Sequence, residues 1–181
     1  MKSIYILLTR SNTYVSRMIN LATLEPYTHA SISFDDSLQP LYSFARRNLK
    51  WPLPAGLRLE PFHEGYYAIH NQIPCALYEL QVTDEAYEAA KAEVECMMED
   101  ALRYRFSVMG LFLCRLNIPL HRKDLYFCSE FISTILQNSN SLDLPKKPSL
   151  MRPSDYTRIP HMTLLYQGKL AGLVENRKIY A

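Results

Sequence analysis

The sequence contains no long apolar run. A helix that crosses a membrane needs about 18 or more consecutive apolar residues, and no segment of the chain approaches that length. The apolar residues near the start are followed at once by polar ones, Thr9 to Asn12, whereas a secretory signal would continue into a longer apolar region and a cleavage site. We therefore interpret the start as the first strand of a cytoplasmic protein and expect no transmembrane segment.

An excess of charge is also missing. Lys and Arg total 20 and Asp and Glu total 18, so the formal net charge is only +2. Proteins that bind nucleic acid normally carry a strongly basic face, and this balance argues against such a partner. Short basic clusters occur at 45–50 and 121–124. We expect solvated loop charges there, the alternative being contact with an anionic substrate or a membrane headgroup.

The cysteines lack the spacing of a metal or redox motif. There are four, at Cys75, Cys96, Cys114 and Cys128, and none forms a CxxC pair. We expect free thiols, because a chain of this length does not depend on disulfides for a core. The five histidines share no ligand spacing with a cysteine or a carboxylate, so the sequence predicts neither a metal nor a cofactor.

The remaining pattern predicts one globular α+β domain over residues 1–181, with a small antiparallel sheet and packed helices. A hydrophobic fraction of 48% is typical of a folded domain. The Pro-containing segment 46–64 is predicted to be an irregular loop. We predict strands at 3–9, 28–34, 41–45, 65–70, 76–82, 162–167 and 170–175, and helices at 13–21, from Thr83 onward, at 107–115 and at 127–138.

One predicted strand carries a histidine at its head. In "YTHASISF", residues 27–34, His29, Ser31 and Ser33 alternate with an apolar face of Ala30, Ile32 and Phe34. A single histidine in a strand is more often structural than functional. It becomes informative only if a nucleophile lies near it.

The candidate nucleophile is Cys128, in "LYFCSEFISTILQN" at 125–138. At 100° per residue it falls on the apolar stripe of the predicted helix, within the first turn. Buried cysteines usually serve packing. A helix start, however, favours the thiolate, and acyl-transfer chemistry needs a thiolate with a histidine that takes and returns its proton. Cys128 and His29 together are therefore our catalytic candidates.

These motifs resemble those of a known superfamily. "YFCSEFI" is similar to the "DCSGLV"-type nucleophile motif of NlpC-type papain-like cysteine peptidases and amidases. The order of histidine before cysteine resembles the circularly permuted branch, which includes the YiiX/YebB-like proteins and the lecithin retinol acyltransferase-like enzymes. The resemblance covers roughly residues 1–45 and 120–158. Phe127 and Glu130 depart from the motif, which has Asp and Gly there, and the acyltransferase motif "NCEHF" is not matched residue by residue.

The resemblance implies a permuted papain-like fold and a third polar residue that orients the imidazole. In the family this residue lies on the strand next to the histidine strand, which here is "LYSFA" at 41–45. Ser43 and Tyr42 are its polar groups and point to opposite faces. We name Ser43 as the orienter, with a packing role for Ser43 or a main-chain carbonyl as orienter left open.

The predicted function is a thiol hydrolase of the peptidase or amidase type, cleaving an amide or ester bond. Cys128 would be the nucleophile, His29 the general base and acid, and the Cys128 backbone N–H an oxyanion donor. We expect the small Ser31 and Ser33 to let the cysteine helix approach the sheet. The alternatives are a thiol acyltransferase or phospholipase, an inactive binding module of the same fold, and a structural protein in which Cys128 and His29 lie far apart. The substrate, whether small molecule, peptide or lipid, and the oligomeric state are left open.

Overall fold

The structure is a computed structural model that describes residues 1–10, 25–48 and 53–177. The helix predicted at 13–21 lies outside the described residues. Within them, the strands form one continuous sheet, and helices follow or connect several of the strands.

Eight strands form this sheet. They are β1 (Lys2–Thr9), β2 (His29–Ser33), β3 (Tyr42–Arg46), β4 (Ala55–Leu59), β5 (Pro74–Val82), β6 (Arg105–Phe106), β7 (Leu125–Tyr126) and β8 (Met162–Lys169). Their order across the sheet is β7-β6-β4-β3-β2-β1-β5-β8. Every neighbouring pair is antiparallel except β6 and β7, which are parallel. The sheet is therefore open and mostly antiparallel.

Strand β1 is buried on both faces, which explains its nearly continuous apolar sequence. Ile4, Ile6 and Leu8 belong to one core cluster, whereas Leu7 belongs to a second cluster. Because successive side chains of a strand point to opposite faces, the two clusters lie on opposite sides of the sheet.

Helices cover both sides. Among the described residues they are α1 (Gly65–Ile69), α2 (Asp84–Glu99), α3 (Val108–Arg115), α4 (Cys128–Asn138) and α5 (Leu170–Asn176), with 3₁₀ segments at Pro148–Leu150 and Pro153–Arg158. Buried residues of α2 and α4 join the cluster that contains Ile4, Ile6 and Leu8. Buried residues of α1 and α5 join the cluster that contains Leu7.

The predicted helix that follows Thr83 is confirmed. The Thr83 side chain accepts a hydrogen bond from the Ala86 N–H at 3.2 Å, and Asp84 and Glu85 lie in the first turn, where the helix dipole favours negative charge. The small and apolar residues at three- and four-residue spacing are buried, as the pattern predicted: Ala86, Ala90, Val94 and Met97.

Three local predictions are wrong. Residues 55–59 form a strand within the segment predicted to be a loop. Residues 65–69 and 170–176 form helices where strands were predicted. In the first helix the aromatic residues suggested a strand, but burial of Tyr67 against Phe62 outweighs that weak preference. In the second, Leu170 and Leu173 are buried together, which a helix allows at a spacing of three residues.

The fold is thus a mixed α+β structure with an eight-stranded, mostly antiparallel open sheet and several helices. Among the described helices, none is long and apolar enough to cross a membrane.

Candidate active site

His29 is the first residue of β2, where the sheet ends. It pairs with Thr9, the last residue of β1, so the two strands hold its backbone. Its side chain is 15% exposed. The imidazole therefore lies at a strand end, mostly enclosed but not sealed from the surface.

Cys128 is the first residue of α4. Strand β7 ends two residues earlier, and the extended backbone of Phe127 turns the chain into the helix. Cys128 is 6% exposed. Its N–H belongs to the first helical turn, whose N–H groups have no carbonyl partner within the helix, so the positive end of the dipole lies beside the thiol.

Buried hydrogen bonds hold the start of α4 in place. The Ser129 hydroxyl donates to the Met151 carbonyl at 2.8 Å, and the Tyr156 hydroxyl donates to the Ser129 carbonyl at 3.0 Å. Tyr156 also shares a 2.6 Å hydrogen bond with the Ser133 hydroxyl. These contacts restrict the residue that follows Cys128 and hence the direction of the thiol.

The structure brings Cys128 and His29 together. Burial alone would raise the pKa of the thiol, but hydrogen bonding to the His29 imidazole, the charge of that ring, and the backbone N–H groups of Ala30 and Ser129 lower it overall. Burial likewise disfavours a charged imidazole, yet the Glu60 carboxylate and Cys128 raise the pKa of His29 well above its usual range. Both directions favour a thiolate–imidazolium pair.

Glu60 is the acidic partner of His29, and sequence reasoning missed it. Its Oε2 lies 2.8 Å from His29 Nε2, which leaves Nδ1 as the ring nitrogen available to the thiol. Glu60 directly follows β4, and its N–H donates to the Leu41 carbonyl at 2.9 Å. The residue was overlooked because β4 lies in the segment predicted to be an irregular loop.

Hydroxyl groups support the same carboxylate oxygen. The Ser31 hydroxyl donates to Glu60 Oε2 at 2.7 Å, and the Tyr67 hydroxyl lies 3.5 Å from it. Burial would raise the pKa of Glu60, but the charge and hydrogen bond of His29, aided by the serine hydroxyls, lower it to about 2. Glu60 is therefore ionised, and its carboxylate can accept a hydrogen bond from the protonated imidazole.

Ser43, our predicted orienter, does not contact the imidazole. Its side chain is fully buried in β3, and its hydroxyl has no hydrogen-bond partner of normal length among the described residues. It lies near enough to Glu60 to help lower the pKa of that carboxyl. The carboxylate that bonds His29 comes from the end of β4, one strand further from β2 than expected.

We expected the cysteine helix to approach the sheet over Ser31 and Ser33, but it does not. The apolar stripe of α4 shares a core cluster with Ala30 and Ile32, on the opposite face of β2, because only that face offers apolar partners. Ser31 instead points toward Glu60 and Tyr67. Cys128 meets His29 at the end of β2, where the sulfur lies near the backbone N–H of Ala30.

The four cysteines are free, and their surroundings differ. Burial raises the pKa of Cys75 to about 12 and raises that of Cys114. Cys96 is exposed on α2. In contrast to Cys75 and Cys114, the pKa of Cys128 is lowered by its surroundings.

A second histidine–carboxylate pair lies beside α4. His121 Nδ1 is 3.1 Å from Glu130 Oε1, and the Glu130 side chain is almost fully buried. Burial raises the pKa of Glu130 despite the histidine. His63 and His161 are exposed and His70 is partly buried, and no group of three or more His, Cys, Asp or Glu residues in the described part of the chain could hold a metal ion.

A groove of about 280 Å³ lies between α1 and α5. Tyr67 is among its lining residues, whereas Cys128, His29 and Glu60 are not. The groove therefore lies behind the carboxylate, on the side of Tyr67, and does not open onto the thiol.

No family model matches the chain, and no curated protein matches it.

Proposed function

We propose that this protein is a thiol hydrolase that cleaves an amide or ester bond, with Cys128 as nucleophile, His29 as general base and acid, and Glu60 as the group that orients the imidazole. The observation that carries the proposal is the position of His29. Its Nε2 lies 2.8 Å from a buried carboxylate, and its ring lowers the pKa of a thiol at a helix start. Nucleophile, base and orienter thus form one chain of contacts.

The reaction begins with attack of the Cys128 sulfur on the substrate carbonyl carbon. The carbonyl oxygen gains negative charge, which N–H groups of the first turn of α4, that of Cys128 included, would stabilise. His29 gives its proton to the leaving amine or alcohol as the bond to carbon breaks. His29 then takes a proton from water as the water oxygen attacks the thioester carbon. The bond from carbon to sulfur breaks, the acid is released, and the thiolate–imidazolium pair is restored.

The fold we propose for this activity is the circularly permuted papain-like one. Two features support it. The histidine is on a strand of a mostly antiparallel sheet, and the cysteine opens a helix that packs on that sheet. The histidine also precedes the cysteine along the chain, with the carboxylate between them. The lowered pKa of Cys128 argues for an active member of such a family over an inactive binding module.

An activated ester tests the nucleophile without knowledge of the substrate. We expect para-nitrophenyl acetate to acetylate Cys128 within the first turnover, because a thiolate displaces nitrophenolate readily. Acid quenching and peptide mass spectrometry would locate the acetyl group. His29→Ala should slow this step by about 100-fold or more, the usual contribution of a general base.

Cys96→Ala is the matched control, since it removes an exposed thiol on α2. It should leave nitrophenolate release unchanged, while Cys128→Ala should abolish the rapid phase. Acetylation of Cys96 as fast as that of Cys128, or a His29→Ala variant that is fully active, would rule out the proposed pair.

A further inference from the structure

Two arginines lie close together near the start of α4. Arg115 ends α3 and Arg152 directly follows Met151, whose carbonyl accepts the hydrogen bond from Ser129 beside the nucleophile. Helix α3 also packs near Phe127, since a Cβ added to Gly110 would come within 3.6 Å of that ring. Both arginines therefore belong to segments that contact the residues on either side of Cys128.

The two arginines share one carboxylate, and neither forms a hydrogen bond with it. Glu25 Oε1 lies 3.9 Å from Arg115 Nη1 and 3.6 Å from Arg152 Nη1. Two positive charges thus face one negative charge, and the group has a net charge of +1. The Arg115 side chain is only 16% exposed, so solvent compensates little of that excess.

Part of this arrangement is structural. Arg152 Nη2 donates to the Cys114 and Arg115 carbonyls at 3.3 and 3.4 Å, which is a common role for a basic residue at a helix C-terminus. That role does not account for the other donors. Arg115 Nε, Arg115 Nη1 and Arg152 Nε are buried without any hydrogen-bond partner among the described residues.

Buried donors of a charged group that lack a partner are costly, more so than those of a neutral group. Repulsion between the two arginines adds to the cost, since burial and the charge of Arg152 both lower the pKa of Arg115. The negative charges of Glu25 and of the Cys128 thiolate act in the opposite direction on the pKa of Arg115. An anion bound at the arginines would satisfy the donors and relieve the repulsion.

We propose that Arg115 and Arg152 form a subsite for a negatively charged group of the substrate, a carboxylate or a phosphate, next to the bond that Cys128 attacks. The inference rests on the proposed function and narrows its substrate to an anionic amide or ester. The planar, forked guanidinium suits either anion because it donates two parallel hydrogen bonds. Glu25 would then limit the net charge of the empty subsite.

Two alkylating reagents that differ in charge test the subsite. Iodoacetate carries a carboxylate and iodoacetamide is neutral, and both transfer their methylene carbon to a thiolate sulfur with loss of iodide. Rates at Cys128 and at the exposed Cys96 would be measured on the full chain at low ionic strength by peptide mass spectrometry. At each cysteine, the iodoacetate rate is divided by the iodoacetamide rate. The quotient for Cys128 is then divided by the quotient for Cys96, and this normalised ratio measures how strongly the surroundings of Cys128 attract the anion.

Arg115→Gln should lower this normalised ratio by about fivefold or more, as expected for loss of a charge within a partly buried site. A change in the thiolate population of the variant would alter the rates with both reagents alike and therefore cancels in the ratio. Arg115→Lys should keep most of the ratio because it keeps the charge. Arg158→Gln is the control, because it removes the same charge at an exposed position, and it should leave the ratio unchanged. If Arg115→Gln fails to fold, Arg115→Met replaces it.

The outcomes separate the two proposals. A Cys128 that iodoacetamide labels no faster than Cys96 contradicts the proposed function, and the subsite with it. A reactive Cys128 whose ratio is the same in the native chain and in Arg115→Gln overturns the subsite alone. Inorganic phosphate, added at constant ionic strength, tests which anion the subsite accepts. If phosphate slows iodoacetate labelling in the native chain but not in Arg115→Gln, the subsite binds phosphate as well as carboxylate. If phosphate does not slow labelling in the native chain, the subsite is restricted to carboxylates.

Discussion

At the scale of single residues, Glu60 decides how strongly His29 holds its proton. The carboxylate is ionised and lies 2.8 Å from the ring, so it stabilises the imidazolium and, through it, the thiolate. Removing that charge would lower the pKa of His29, and the thiolate–imidazolium form would be lost as the pH rises toward neutrality. Ser43, although buried beside the same carboxylate, has no comparable charge to lose.

We therefore predict that Glu60→Gln slows iodoacetamide labelling of Cys128 at neutral pH by about tenfold or more, since each pKa unit changes the charged population tenfold. Ser43→Ala is the matched control and should change the rate by less than about twofold. The stability of this variant should hardly change, because the hydroxyl that it removes has no hydrogen-bond partner among the described residues. If labelling of Cys128 is slow in Ser43→Ala and normal in Glu60→Gln, Ser43 and not Glu60 orients the imidazole.

The same pair has a signature in stability. The pKa of Glu60 is lowered to about 2 in the folded chain, so its contribution is complete above the unfolded pKa of about 4.3 and is lost as the pH falls toward 2. The pKa of His29 is raised, so its contribution is complete below about pH 6.5 and is lost as the pH rises through the folded value. Urea unfolding of Glu60→Gln should lack the acid-side loss that this carboxylate causes in the native chain.

At the scale of elements, the position of α4 depends on hydrogen bonds to the 3₁₀ segment Pro153–Arg158. Tyr156 is fully buried, and its hydroxyl contacts the Ser129 carbonyl and the Ser133 hydroxyl. The first turn of α4 is therefore hydrogen-bonded to a segment that follows α4 along the chain. Loss of these hydrogen bonds would affect both the stability of the fold and the orientation of the thiol.

We predict that Tyr156→Phe lowers the free energy of unfolding by about 1–3 kcal/mol, because it leaves two buried polar groups without their partner. Tyr166→Phe is the matched control. The Tyr166 hydroxyl donates to the Lys169 carbonyl at 2.9 Å near the surface, and its loss should cost less than about 0.5 kcal/mol. Equal effects of the two variants in urea unfolding would show that the contacts of Tyr156 do not hold α4.

The elements also show which features the sequence could predict. Cys128 and His29 were found because each has a local signal, a helix start in one case and strict alternation in the other. Glu60 has no such signal. It follows a strand that contains Gly56 and lies between prolines, so the pattern indicated a loop, and its role depends on pairing of β4 with β3, which brings residues distant in sequence together.

Short elements were the other source of error. In "GYYAIH" and "LAGLVE" the composition favoured strands, but each segment is too short for periodicity to distinguish a helix from a strand. Contacts outside the segment decide between them: Tyr67 packs on Phe62, and Leu170 and Leu173 complete the cluster that contains Leu7. By contrast, the long helix α2 has enough turns for its apolar spacing to identify it.

At the scale of the whole molecule, one sheet carries two cores. Phe131 belongs to the cluster on the α4 side and Leu77 to the cluster on the opposite side. Because β1 and β5 contribute residues to both clusters and pair with each other along their length, neither core can be lost while the other stays intact. The described residues should therefore unfold as a unit.

We predict a single unfolding transition that both cores share. Phe131→Ala should lower the free energy of unfolding by about 3–5 kcal/mol and Leu77→Ala by about 2–5 kcal/mol, each shifting the whole transition. Far- and near-ultraviolet circular dichroism in urea would measure it. Phe112→Ala is the control, since Phe112 is 60% exposed and should cost little, and two separate transitions in either core variant would contradict a single cooperative domain.

The order of the three site residues along the chain bears on how the protein is made. Translation produces His29 first, then Glu60, and Cys128 only after β1 to β6 have been synthesised. A nascent chain that ends within α2 thus contains the base and its carboxylate but no nucleophile. The depressed pKa of Cys128 depends on the imidazole and on the Ala30 N–H of β2, so the reactive thiolate arises only when α4 docks. On the proposed function, an activated sulfur would therefore form only after the surrounding fold is in place.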